Sequence, residues 1–254
     1  MSRPAPDPQR RRLGAYYTPA ALVDLLVAEV LVPSFAGRST PPVVMDPSCG
    51  DGRLLVAAGA AIRSHYGLAP EPFLRGLEID ADVAAATSEH LGIRVDVGDA
   101  RRLMTDMVAA GRTVDVVLGN PPYLSQLASE TSRGKRSELG GGPYADVAAE
   151  FLAASVRVVP ATGGRVGLVL PLSILATRDV EAIRTEVERV AAIEWFWWSD
   201  RPVFDAQVIT CMLGLETGRS TAQVRRNFGD EDRAIEPVQP PGERSISTWS
   251  WLIS

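Results

Sequence analysis

Short apolar runs alternate with longer stretches whose apolar residues recur every three or four positions. The runs at 43–45, 73–79, 94–97, 114–118 and 165–170 read as buried strands. The periodic stretches at about 22–32, 54–65, 80–91, 101–110, 145–158 and 180–190 read as helices. Thr18 and Pro19 fit the N-cap and first position of the leading helix, and Asp80 caps the third. Two more strands follow, at 193–198 and 208–215, separated by Arg201-Pro202-Val203-Phe204-Asp205. Strand–helix alternation predicts an α/β fold: a doubly wound, seven-stranded, mostly parallel sheet with right-handed crossovers. The last two strands are too close for a crossover helix, so the last is expected to run antiparallel.

Three stretches depart from the pattern. Residues 1–13 are rich in proline and arginine without periodicity and are expected to be disordered. Residues 125–144 form a long polar loop containing Arg133, Lys135, Arg136 and Gly140-Gly141-Gly142. Beyond Gly218 the pattern fades, so 219–254 reads as a tail or the start of a missing recognition region. That leaves 14–218 as the domain.

Composition narrows the chemistry. Two cysteines, Cys49 and Cys211, and two histidines, His65 and His90, offer no disulfide framework and no metal cluster, and fit a reducing cytoplasm. No apolar run approaches a membrane span, and the N-terminus is not a secretory signal. The net charge of −5 does not favour a tight, isolated nucleic-acid binder, although one face can still carry the basic groups that meet phosphates.

The candidate chemistry sits where strands end, the edge at which open α/β sheets bind ligands. Gly119-Asn120-Pro121-Pro122-Tyr123 follows the fourth strand. Asn120 brings an amide oxygen, the prolines stiffen the loop and leave carbonyls free to accept, and Tyr123 brings a flat face. Alone, this is equally a strand-ending turn. The first strand ends in Asp46-Pro47-Ser48-Cys49-Gly50-Asp51-Gly52. This turn has neither the third glycine of a dinucleotide site nor the Gly-Lys-Ser/Thr of a phosphate loop, and its acids suit a cationic or amine-bearing ligand. Glu78 ends the second strand, where an acid accepts from ribose hydroxyls. Asp99 ends the third; it suits an adenine amine or, equally, a helix cap. Four polar groups at consecutive strand ends outweigh any one of them.

The succession Tyr17-Thr18-Pro19, Asp46 to Gly52, Glu78, Asp99-Ala100 and Asn120-Pro121-Pro122-Tyr123 resembles the gamma class of DNA adenine amino-methyltransferases of restriction-modification and phage-defence systems. The resemblance covers about 14–218. It implies a Rossmann-like catalytic core that uses S-adenosylmethionine (AdoMet), flips an adenine out of DNA and methylates its 6-amino group. It implies cofactor contacts from Tyr17, Thr18, Pro19, Asp46, Pro47, Ser48, Cys49, Gly50, Gly52, Glu78, Ile79, Asp99 and Ala100. Asn120, Pro121, Pro122 and Tyr123 would be catalytic, with Tyr123 and Phe204 stacking on the base; Trp197 and Trp198 rival Phe204 but sit in a strand pattern. No metal is implied. Asn-Pro-Pro-Tyr also occurs in methylases of protein glutamine and of RNA, and an inactive cofactor- or DNA-binding subunit is a further alternative. Choice of target would fall to a separate subunit or a missing C-terminal domain.

Overall fold

The computed structural model describes residues 18–123, 139–142, 146–203, 208–229, 233–242 and 248–254. The leading helix, α1 (Ala20–Leu26), continues through a π-helical turn at Val27–Leu31 and a 3-10 turn at Val32–Phe35. The alternation then runs β1 (Val44–Asp46), α2 (Arg53–Tyr66), β2 (Leu74–Glu78), α3 (Ala81–Leu91), β3 (Arg94–Val97), α4 (Ala100–Ala109), β4 (Val116–Gly119) and α5 (Val147–Val158). It ends with β5 (Arg165–Pro171), α6 (Glu181–Val190), β6 (Ala191–Trp198), β7 (Thr210–Thr217), β8 (Val224–Phe228) and β9 (Arg233–Val238).

Among the described residues, nine strands join one sheet in the order β3-β2-β1-β4-β5-β7-β6-β8-β9. The α/β class and mostly parallel pairing are as the sequence predicts, and β7 lies antiparallel between β5 and β6. The expected count of seven is corrected to nine. The stretch after Gly218 supplies β8, parallel to β6, and β9, antiparallel to β8. The first of them is hidden in the sequence because the alternation in Val224-Arg225-Arg226-Asn227-Phe228 is carried by an arginine: Arg226 is buried and donates to the carbonyls of Glu236, Leu252 and Ser254.

The central strands are covered on both faces, so their middles are apolar. One core gathers α1, the π turn and α2 over Val44, Val116, Leu118, Trp195 and Trp197. The other packs α4, α5 and α6 over Met45, Val117, Leu168, Phe196 and Leu213. Trp197 is fully buried and Trp198 stacks on Phe196, so both are strand residues of the core. Two glycines fix the leading helix on its face: a Cβ at Gly167 would sit 2.9 Å, and one at Gly214 3.2 Å, from Val30 Cγ2. That close approach brings Thr18, just before α1, to the strand ends. The helix begins one residue later than predicted, with Pro19 extended in the N-cap position (φ −55, ψ 144). Its carbonyl accepts from Leu22 and Val23.

Candidate active site

The strand order reverses between β1 and β4, and the candidate residues of those two strands end side by side. Glycine permits that closeness: a Cβ at Gly119 would lie 3.0 Å from the Pro47 ring. Gly52, at φ +78, turns the chain into α2 where a Cβ would meet Leu91 Cδ1 at 2.5 Å. Gly50, at φ +49, is held from both sides: its N–H donates to Glu78 Oε2 at 3.0 Å and its carbonyl accepts from the Thr87 hydroxyl at 2.6 Å.

The turn is acidic and tightly wired. Glu78 Oε1 also accepts from the N–H groups of Ile79 and Asp80, so one carboxylate ties the turns after β1 and β2 together. Asp46 is buried and accepts from the Ser48 N–H. Burial, opposed by that bond and reinforced by the charges of Glu78 and Asp51, raises its pKa to about 7. Burial likewise pushes the Cys49 thiol far up, so Cys49 is a packed thiol and not a nucleophile. The Ser48 hydroxyl is buried without a hydrogen-bond partner among the described residues. Ile79 stands 60% exposed at the same edge, while Ala100 is buried at the start of α4.

Asp99 is the N-cap of α4 and pairs with Arg101. Burial raises its pKa, but the hydrogen bonds and charge of Arg101 outweigh it and leave the carboxyl below its ordinary value. The cap reading of Asp99 is therefore realised in the fold.

Asn120 lies at the centre. Its Nδ2 donates to the Thr18 hydroxyl at 3.2 Å, and its Oδ1 accepts from the Tyr123 phenol at 3.0 Å. The Thr18 carbonyl accepts from Arg53 Nη1 at 3.0 Å, and Arg53 also pairs with Asp51 at 2.7 Å. Arg53 therefore bridges the segment before α1 to the glycine turn, and sequence reading missed it; its place two residues after Asp51 was the only signal. Thr87 was missed because its partner Gly50 lies 37 residues away, and Arg101 because an arginine two residues after Asp99 carries no pattern of its own.

Tyr123 differs from expectation. Its ring is 5% exposed and packs in the core over α5, and burial carries the phenol pKa well above its ordinary value. The hydroxyl finds in Asn120 the acceptor that a buried phenol needs. Tyr17, Phe204, and the basic loop residues Arg133, Lys135 and Arg136 lie outside the described residues. Among the described residues no cluster of metal-ligating side chains occurs, and no helix is long and apolar enough to cross a membrane.

The family model described as N-6 DNA methylase matches residues 5–227. A type II methyltransferase of Xanthomonas campestris pv. amaranthicola, M.XamI, is 26% identical over 185 residues, 70% of this chain and 30% of that protein. The methyltransferase subunit of a type I restriction-modification system from Streptococcus thermophilus superposes with a TM-score of 0.61 at 18% identity, over 87% of this chain and 50% of that one. The M protein of the type I restriction enzyme EcoKI gives 0.64 at 17%, over 85% and 50%. These two likenesses show a shared fold. The chain thus spans under a third of the curated relative and about half of the two subunits.

Proposed function

Because the chain belongs to the N-6 DNA methylase family, we propose that it is the catalytic core of an AdoMet-dependent DNA adenine methyltransferase, whose sheet runs past the expected boundary at 218 to Val238. The observation that carries this reading is the Asn120 amide, held by Thr18 beside an acidic glycine turn.

The residues present fit the cofactor. The buried, partnerless Ser48 hydroxyl and the acids Asp46, Asp51 and Glu78 suit a ligand with an ammonium group and hydroxyls. Asp46, Pro47, Ser48, Cys49, Gly50 and Gly52 would line its amino-acid end beside Tyr17, Pro19 and the main chain of Thr18. Glu78 would take the ribose, and Ile79, Asp99 and Ala100 the adenine side. AdoMet, when bound, supplies a methyl group already activated on sulfur.

The chain's own work is then to prepare the target amine. The exocyclic nitrogen of adenine has its lone pair delocalised into the ring. Asn120 Oδ1 and the Pro121 carbonyl accept its two hydrogens and favour a pyramidal nitrogen. Their hold strengthens as positive charge develops there, which lowers the barrier. Pro121 and Pro122 fix the backbone that aims them. The base must leave the duplex to reach them, and Tyr123, once turned out of the core, and Phe204 would stack on it. Arg133, Lys135 and Arg136 would meet phosphates. Target choice falls to a further stretch of chain or to a partner subunit.

Tritiated AdoMet offered with unmethylated plasmid DNA, with ribosomal RNA and with ribosomal protein tests the reading. The label is expected in DNA as N6-methyladenine, and Asn120→Ala is expected to abolish transfer while AdoMet affinity changes less than about threefold. Label confined to the ribosomal fractions, or full activity in Asn120→Ala, would overturn it.

A further inference from the structure

An amide at the centre of a site has two ends of opposite character and nearly equal size. A target amine offers only hydrogens, so Asn120 works only with Oδ1 turned to the target and Nδ2 turned away. We infer that Thr18, through its side-chain hydroxyl, is the positioning residue that holds Asn120 in this orientation. The inference rests on the proposed methylation chemistry, because the orientation matters only if Asn120 accepts from a substrate.

Thr18 Oγ1 accepts from Asn120 Nδ2 at 3.2 Å, across 102 residues of sequence, and Thr18 is 4% exposed. The hydroxyl is itself held in place. Arg53 donates to the Thr18 carbonyl, Pro19 fixes the next φ at −55, and α1 is seated on the glycine-floored face. At the other end of the amide stands Tyr123, whose phenol donates to Oδ1. A base that stacks on Tyr123, as proposed above, draws that phenol away from the oxygen. From then on, of these two hydroxyls, only Thr18 continues to hold the amide. Its side chain therefore acts on the reaction through Asn120 and not through the cofactor.

The chain has two asparagines, Asn120 and Asn227, so selective 15N-asparagine labelling yields two side-chain amide pairs, assigned with Asn120→Ala. In Thr18→Val, nearly isosteric but without the hydroxyl, the Asn120 pair is expected to shift and to exchange with water about tenfold faster or more. Thr18→Ser is expected to keep both properties. Methyl transfer to plasmid DNA is expected to fall about 10- to 100-fold in kcat in Thr18→Val, with KM for AdoMet within about twofold, and to return to within about threefold in Thr18→Ser. An Asn120 pair unchanged in Thr18→Val overturns the inference. So does a serine variant as impaired as the valine one, or a loss expressed in KM for AdoMet. An inactive Asn120→Ala beside a fully active Thr18→Val sinks the role of Thr18 alone, whereas a fully active Asn120→Ala sinks the methylation reading itself.

Discussion

Asp46 stays half-protonated near neutrality because it is buried among other acids, with a pKa of about 7. An acid whose folded pKa is raised disfavours the fold increasingly as pH climbs from its ordinary value towards 7, and fully above it. A bound ammonium group reverses that shift by favouring the carboxylate. AdoMet affinity is therefore expected to rise between about pH 6 and 8, with about half a proton released per cofactor bound at pH 7. Calorimetry in two buffers of different ionisation enthalpy measures the release. Asp46→Asn should abolish it, and release that persists unchanged in that variant would remove Asp46 from the ammonium site. The identities of Asp46, Glu78 and Asn120 could be read from the sequence because each ends an apolar run. Their wiring could not. The bonds Thr18–Asn120, Arg53–Thr18 and Thr87–Gly50 span 102, 35 and 37 residues, and no local pattern encodes them.

At the scale of elements, the strand-to-turn junctions carry the site, and the turn after β1 is the most constrained. Gly52 combines a left-handed φ with a Cβ direction blocked by Leu91 and Thr87. Gly52→Ala is expected to cost about 2 to 4 kcal/mol of stability, from backbone strain and overpacking together. Urea denaturation measures it, and a loss below about 0.5 kcal/mol would show that the turn relaxes freely. Most helices and strands were legible because their periods are clean; β3 coincides with its predicted span, 94–97. The leading helix was harder. Its π turn packs through Val30 on Gly167 and Gly214, contacts with β5 and β7 that lie more than a hundred residues along the chain.

For the whole molecule, the segment after Gly218 completes the sheet. The indole of Trp195 donates to Asn227 Oδ1 at 2.8 Å and that of Trp197 to the Gly229 carbonyl at 3.1 Å, with both rings fully buried. Trp249, also fully buried, donates through its backbone to the Leu175 carbonyl and through its indole to Glu188. A chain cut after Gly218 would leave two indoles without these acceptors and uncover one side of β6. Its melting temperature is expected to fall by about 10 °C or more. Equal melting of the cut and full chains by circular dichroism would place the structural boundary at 218 after all. Of the two outer strands, β8 was illegible because its buried face carries Arg226, whose charge hides the alternation, and β9 because Glu236 and Pro237 interrupt its apolar residues.

The bond from Tyr123 to Asn120 bears on discrimination. With the phenol already on Oδ1, an arriving adenine trades one hydrogen bond for another and gains little attraction at that atom. On the proposed chemistry, a base that brings an oxygen instead of an amino group offers Asn120 Oδ1 no hydrogen to accept. The contact would then disfavour such a base relative to one that brings an amino group.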